Sequence, residues 1–363
     1  MFTKKWVFDE QHVPEDLVHR DTELSGLTRA FSPTLQDRAG GNVLVSGPSG
    51  VGKTVTCRRA LELLDEQQTV PSVQLQCITL TKSDIFRSIL GTISGVSPPD
   101  RGTPALDVLD ELRSAVDQPV IVVLDEADCL PELSILGDLL QVPQISVVAI
   151  SHQPERLLSR ADTSVSDKFR GDHGAQIPFD PYSVDELVAI LQARADHGLV
   201  AGAVTAEQLE TIAGDVGGAA RHAIQSLRAA GELALDRRHQ TIQDEDIADG
   251  ITEAEEQIRR QKLRSLGYHH HVLYEIVRSG ESGSRSSSEI HELYDELGDD
   301  LYGGRDQTTV TRRRRRDILD KLEEYHLLEA SGQTRWRRYQ VCDASVQAPV
   351  DVDVSALLNL QST

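Results

Sequence analysis

The stretch Val43-Leu44-Val45-Ser46-Gly47-Pro48-Ser49-Gly50-Val51-Gly52-Lys53-Thr54 constrains the fold of this chain more than any other. It reads as a short buried strand, a turn of the form Gly-x-x-x-x-Gly-Lys-Thr, and the start of a helix at Lys53 that continues through Val55 to Leu64. Glycines let the backbone wrap closely enough for successive N–H groups to converge on one phosphate chain. The helix that follows adds the positive end of its dipole to the same spot. In this pattern Lys53 reaches the β- and γ-phosphates and the Thr54 hydroxyl holds Mg²⁺. The bland alternative is a glycine-rich turn with no ligand, but the strand before it and the helix after it supply the context the motif requires. The residues Gly47 through Val55 are therefore the expected nucleotide cradle.

A second acidic signal completes it. Val120-Ile121-Val122-Val123-Leu124-Asp125-Glu126 is an apolar run ending in two acids, as expected of a strand buried on both faces whose carboxylates emerge at its C-terminal edge. Open α/β sheets place ligands there. Asp125 is expected to hold the Mg²⁺ and Glu126 to polarise an attacking water, so Lys53, Asp125 and Glu126 form the expected catalytic set. The run Ile145-Ser146-Val147-Val148-Ala149-Ile150 is another buried strand, ending at Ser151-His152. Strands alternating with helices, near Thr22–Leu35, Asp84–Ile93 and Pro104–Ala115, predict a parallel sheet with crossover helices. The fold class is α/β.

The 363 residues suffice for two or three domains. No run approaches the length of a membrane span, the N-terminus lacks a signal-peptide pattern, and the scattered cysteines fit a reducing compartment, so a cytoplasmic protein is expected. The net charge is −21, and lysine occurs only at positions 4, 5, 53, 82, 168, 262 and 321. A lysine-poor, acidic surface is a solubility device of halophiles. Such a charge ordinarily argues against nucleic acid, yet its distribution is uneven. Between Thr308 and Gln340 nine basic residues stand against five acidic ones, a local excess of +4.

That basic stretch lies in the third of four expected segments. Residues 1–180 hold the nucleotide-binding sheet, introduced by a loosely ordered lead-in over 1–41. Residues 181–264 form a helical lid, with helices near Ser183–His197, Ala206–Ala213, Ala219–Leu235 and Asp244–Leu263. Residues 265–342 read as helices near Tyr268–Arg278 and Ser287–Leu297, a polar loop Gly298–Asp306, a helix from about Gln307 to Tyr325, and two strands around a Ser-Gly turn. Three helices and a hairpin make a winged helix. Thr311 and Arg312, Arg313, Arg314, Arg315 and Arg316 fall early on its third helix, and Arg335, Arg337 and Arg338 on its wing, as a double-stranded DNA footprint would. The alternative is a solvated basic helix face. The tail, 343–363, is expected to be disordered apart from Val354–Leu360.

Taken together these motifs resemble the archaeal replication initiators, AAA+ ATPases related to the origin recognition complex large subunit and the cell-division-cycle licensing factor. The resemblance runs from about Val7 to Val341. It rests on Val13-Pro14-Glu15-x-Leu17-x-His19-Arg20, Gly47–Thr54, Leu124-Asp125-Glu126-Ala127-Asp128, Phe179-Asp180-Pro181-Tyr182, Ala220-Arg221-His222-Ala223-Ile224 and the terminal winged helix. It implies an ATP/ADP-bound, Mg²⁺-dependent protein of the nucleoid that grips origin duplex, assembles with paralogous initiators and helps load the replicative helicase. It also implies that Tyr182 and Arg194 contact nucleotide and that Arg221 is sensor 2, the lid arginine that reads the γ-phosphate. Three departures stand out. Sensor 1 usually ends Ser-Asn and here ends Ser151-His152. The Asp-x-Arg-Val segment appears as Asp162-Thr163-Ser164-Val165, leaving Ser164 at the arginine-finger position with Arg160 or Arg170 as substitutes. The segment from Asp128 to Ile145 is short for a family that carries an extra DNA-contacting helix there. These departures point to a divergent paralogue with slow hydrolysis. Two rival readings are a DNA-binding regulator that uses nucleotide as a structural ligand and a signalling ATPase fused to a transcription-factor domain.

Overall fold

The computed structural model describes residues 1–349 apart from 79, 94, 171–173, 304–307 and 333–335. The chain divides into two compact units, Met1–Ile251 and one beginning at Thr252. The first unit holds β1 (Asn42–Ser46), β2 (Ser72–Gln76), β3 (Val120–Asp125), β4 (Ile145–Ser151) and β5 (Gly174–Pro178). Around them run α1 (Asp21–Phe31), α2 (Lys53–Asp65), α3 (Lys82–Leu90), α4 (Ala105–Ala115), α5 (Ser134–Leu140), α6 (Pro154–Arg160) and α7 (Thr163–Lys168). The lid helices are α8 (Val184–Gly198), α9 (Ala206–Asp215), α10 (Ala220–Asp236) and the start of α11 (Asp244–Ser265).

The five strands form one sheet in the order β2-β3-β4-β1-β5, every pair parallel. Crossover helices cover both faces, so β3 and β4 are apolar without alternation, and Val120 to Leu124 and Val147 to Ala149 are fully buried. One face packs Leu44, Val122, Leu124 and Val147 against α3, α4 and α5. The other packs Val43, Val45, Ile121 and Val123 against α1 and α2. Because β1, β3 and β4 run side by side in the same direction, their C-terminal ends bring Ser46, Asp125 and Ser151 to one edge. That edge is where the glycine turn leaves β1. The expected sheet is present, and β5, α5, α6 and α7 are additions to it. The edge strand β5 reads Gly-Ala-Gln-Ile-Pro and buries little besides Ile177, so it offers no apolar run to detect.

One expectation for this unit needs correction. The lead-in over 1–41 is ordered. A 3₁₀ turn at Lys5–Phe8 drives Val7 and Phe8 into the lid core beside Leu187, Leu191 and Leu227. The Thr3 amide donates to the Gly198 carbonyl at 2.9 Å, and Phe2 bridges Leu199. Apolar residues at 2, 7 and 8 are too few to reveal a partner that lies far along the chain. The stretch from Asp128 to Ile145, noted above as short, holds one α-helix among the described residues. That helix is α5, whose Ile135, Leu136 and Leu139 complete the sheet core.

The second unit contains α12 (Tyr268–Arg278), β6 (Ser284–Ser286), α13 (Ser287–Glu296), α14 (Gly298–Tyr302), α15 (Arg312–Glu324), β7 (Leu328–Ser331) and β8 (Arg338–Val341). The three strands form an antiparallel sheet, β6-β8-β7, with Tyr339 opposite both Arg285 and Ala330. Gly298–Asp306, expected as a polar loop, begins as the helix α14, because Leu301 and Tyr302 are buried and the Tyr302 hydroxyl meets that of Tyr294 at 2.6 Å. The third helix starts at Arg312, behind the cap of Thr311, later than expected. The start of the tail is packed, not loose. Val346 is fully buried, and its carbonyl accepts from the Tyr274 hydroxyl at 3.0 Å. Val354–Leu360 lies outside the described residues. Among the described residues no helix is long and apolar enough to cross a membrane.

Candidate nucleotide cleft and basic helix

The turn from β1 to α2 depends on backbone only glycine adopts readily. Gly47, Gly50 and Gly52 have φ of 141°, 80° and 94°. A Cβ on Gly47 would lie 2.2 Å from the Phe179 carbonyl oxygen, so no other residue fits. Gly47→Ala should lower the melting temperature of the first unit steeply, since it combines backbone strain with a rigid clash, about 3 kcal/mol or more. Thermal unfolding with and without nucleotide checks this.

Lys53 is 6% exposed. Its ammonium donates to the carbonyls of Gly47 at 2.7 Å and Pro48 at 2.5 Å. Burial pushes its pKa down from 10.5 to about 8; Asp125 and Glu126 pull it partly back and Arg221 pushes it further down. A cation taken from water and held by two neutral carbonyls is poised for an anion. Beside it the Thr54 hydroxyl donates to Asp125 Oδ2 at 2.8 Å. Gln74 Nε2 approaches that same oxygen at 3.4 Å and is itself oriented by Arg58, which donates to its side-chain oxygen at 3.0 Å. Two hard oxygen donors side by side, next to a buried cation, fit a divalent cation with a phosphate chain.

Glu126 follows in the left-handed region, φ 57°. The strained backbone turns its carboxylate toward His152, whose Nε2 is 3.5 Å away. The other ring nitrogen of His152 lies 3.2 Å from the Gly47 carbonyl and 3.4 Å from Lys53 Nζ. Asp128 fixes this end of β4 by accepting from the Ser151 hydroxyl at 2.5 Å and the His152 amide at 2.7 Å. The sequence-predicted residues Lys53, Thr54, Asp125 and Glu126 are thus brought together, and His152 joins them.

The lid closes the same edge. The Arg221 amide donates to the Gly50 carbonyl at 3.2 Å, so the first turn of α10 rests on the glycine loop. Tyr182 lies beneath the loop, its hydroxyl 3.1 Å from where a Cβ on Gly52 would be. Arg20, for which the sequence suggested no role beyond its motif, organises this corner. It is buried, stacks on Tyr182 with the guanidinium 3.9 Å from the ring centre, and donates to the Val51 carbonyl at 3.2 Å, the Tyr182 hydroxyl at 2.9 Å and the Asp180 carbonyl at 2.7 Å. A lone arginine after a proline turn carries no sequence signal for this; only its three distant partners reveal it. Arg194 lies on α8. Its guanidinium donates to the Val7 carbonyl at 2.6 Å, so its structural partner is the N-terminal turn.

In the second unit, the arginines of α15 separate into two kinds. Arg312, Arg313, Arg314 and Arg316 are exposed. Arg315 is not a free surface cation, because helical periodicity turns it inward. It is 5% exposed, lies 4.1 Å from the Tyr294 ring centre and donates to the carbonyls of Val310 and His291 and to Asp295 Oδ1 at 2.5 Å. That arrangement corrects the expectation of a surface-exposed Arg315. On the hairpin, Arg337 donates to Glu323 at 2.5 Å and packs near Tyr339, while Arg338 is exposed. Arg335 lies outside the described residues. Thr311 uses its hydroxyl to cap α15, accepting from the Arg314 amide at 3.4 Å.

Comparison with known proteins finds family models for both parts of the first unit. Residues 16–150 match the AAA ATPase domain model and residues 188–252 the Cdc6 AAA+ ATPase-type lid domain. The ORC1-type DNA replication protein 9 of Halobacterium salinarum is 31% identical over 92% of this chain and 92% of its own. The chain belongs to the ORC1-type DNA replication proteins. Among solved ORC1-type structures, the Aeropyrum pernix ORC1 protein in complex with DNA superposes with a TM-score of 0.75 at 25% identity, covering 99% of this chain and 97% of that one. Cdc6p of Pyrobaculum aerophilum gives 0.61 at 25% identity, covering 99% of each. A further ORC1-type relative, protein 3 of the haloarchaeon Haloarcula marismortui, is 25% identical over 91% of this chain and 89% of its own. The acid-rich, lysine-poor composition is that of a salt-adapted ORC1-type protein.

Against the ORC1-type pattern, two positions stand apart. His152, at the position the resemblance gives to sensor 1, lies against Glu126 at the cleft. Ser164, at the position the resemblance gives to the arginine finger, sits exposed on α7, and both Arg160 and Arg170 are exposed nearby in the sequence.

Proposed function

We propose that this ORC1-type protein is a replication initiator whose grip on origin duplex is set by ATP. The observation that carries the reading is the Thr54–Asp125 pair at 2.8 Å beside the buried ammonium of Lys53. Lys53, with the Gly47–Val55 loop, would bind the phosphates, and Tyr182 and Arg221 would complete the pocket. Thr54 and Asp125 would hold Mg²⁺, which when bound supplies positive charge to the phosphate oxygens. Glu126 is positioned to orient and deprotonate a water, and His152 to hold Glu126 in place. The three helices and antiparallel sheet of the second unit are read as a winged helix that presents Arg312, Arg313, Arg314, Arg316 and Arg338 to duplex phosphates. The DNA complex of the Aeropyrum pernix relative supports that assignment. The same reading extends to helicase loading and to assembly with paralogous initiators, as the resemblance implies.

A second reading is favoured by His152 and Ser164: a DNA-binding regulator that holds nucleotide structurally and turns it over little or not at all. An arginine finger contributes orders of magnitude to turnover, and Ser164 cannot supply one. Single-turnover hydrolysis with duplex DNA present separates the two. Turnover that increases in His152→Asn supports the initiator. Tight nucleotide binding with no turnover in either protein supports the regulator.

A further inference from the structure

Helix α10 presents one face to the N-terminal segment. Its residues 221, 225, 228 and 232 recur at intervals of four, three and four, which places them in one row along the helix. Each meets a different N-terminal residue. Lys5 Nζ lies 2.9 Å from Glu232; Arg228 donates to Asp9 at 2.8 Å; Gln225 donates to the Phe8 carbonyl at 2.9 Å; and Arg221 Nε lies 3.7 Å from the Glu10 carboxylate. Two glycines make room for the segment. A Cβ on Gly198 would lie 2.4 Å from the Phe8 ring, and one on Gly231 would lie 2.7 Å from the Phe2 ring. Arg194 fixes the same segment through the Val7 carbonyl at 2.6 Å.

The top rung of this ladder ends in the cleft. Arg221 is the first α10 residue of the row, its amide on Gly50, and its charge is near enough to Lys53 to depress the lysine pKa. Its guanidinium is 42% exposed and Glu10 27% exposed, so the pair is held in place without being locked.

We propose that residues 1–10 form a strap on the lid whose Glu10 competes with the terminal phosphate of a bound nucleoside triphosphate for Arg221, making Glu10 a positioning residue for the sensor arginine. The inference rests on the reading of the cleft as a nucleotide site. A diphosphate, lacking the terminal group, leaves the Glu10–Arg221 pair in place. A triphosphate draws Arg221 away and loosens the end of the strap, so the choice between ATP and ADP is set in part by a segment outside the cleft.

The test is the ratio of ATP to ADP affinity in the full chain, measured by calorimetry in Glu10→Gln. The ratio should shift toward ATP by about two- to fivefold, the range that a partly exposed ion pair sustains. Introduced into an Arg221→Ala background, Glu10→Gln should leave the ratio unchanged. Hydrogen exchange gives an independent readout: amides of residues 9–12 should exchange faster with ATP than with ADP. An unchanged ratio in Glu10→Gln, in a protein that binds both nucleotides, overturns the strap and leaves the cleft standing. A wild-type chain that binds neither nucleotide overturns the cleft reading, and the strap with it.

Discussion

Replacing Lys53 with alanine should lower ATP affinity about a hundredfold while leaving the fold intact. Its ammonium donates to two backbone carbonyls, so a phosphate chain would replace neutral acceptors with charged ones. Charge-assisted hydrogen bonds of this kind are each worth about 1.5–3 kcal/mol, and a net loss near 3 kcal/mol corresponds to roughly a hundredfold. Titration with a fluorescent nucleotide would measure it; wild-type affinity in Lys53→Ala would remove the lysine from the site. The same residue predicts a pH dependence. Its pKa in the folded chain is about 8, and a bound phosphate raises it, so nucleotide is bound with uptake of a proton once the pH exceeds 8. Affinity should be level below pH 8 and fall above it. Stability without nucleotide runs the other way. The unfolded chain, with its lysine near 10.5, binds more protons between pH 8 and 10.5, so wild-type stability should rise with pH in that window relative to Lys53→Met. The cost of the buried charge is present in full below pH 8.

What was legible in the sequence, and what was not, divides along a physical line. Signals confined to one stretch could be read directly. The β1 turn with its glycines and the apolar runs of β3 and β4 each carry their own local cause. Elements whose stability comes from distant partners gave no such signal. Strand β5 is held at the sheet edge by β1, strand β6 is three residues held by β8, and the N-terminal turn is held by the lid. The arginines of α15 show the same limit at the level of single residues. Five in a row look alike in the sequence, and only the helical angle and the approach of Tyr294 and Asp295 set Arg315 apart. Arg20 is the converse, a buried residue whose importance to the cleft lies entirely in Val51, Asp180 and Tyr182.

Arg315 and Arg316 should therefore give opposite phenotypes when each is changed to alanine. Arg315→Ala removes the guanidinium from Tyr294, takes a donor from the carbonyls of Val310 and His291, and leaves Asp295 with Arg312 alone of its two arginines. Asp295 has its carboxyl held below the usual range chiefly by its hydrogen bond to Arg315. Loss of such a buried cation costs about 2–4 kcal/mol, enough to lower the melting transition of the second unit by roughly 10 °C or more. Its loss of DNA binding should follow unfolding and recover at lower temperature. Arg316→Ala touches none of these partners and should leave the melt unchanged. Its effect should be confined to duplex affinity, with the slope of log affinity against log salt reduced by about one phosphate contact. In concentrated KCl counterion release contributes little, so the Arg316 deficit should shrink as salt rises while the Arg315 deficit does not. Differential scanning calorimetry and duplex titration across a KCl series measure both quantities. Equal melting temperatures for the two variants would mean that Arg315 does not hold the second unit together, and it would return to the set of exposed phosphate contacts.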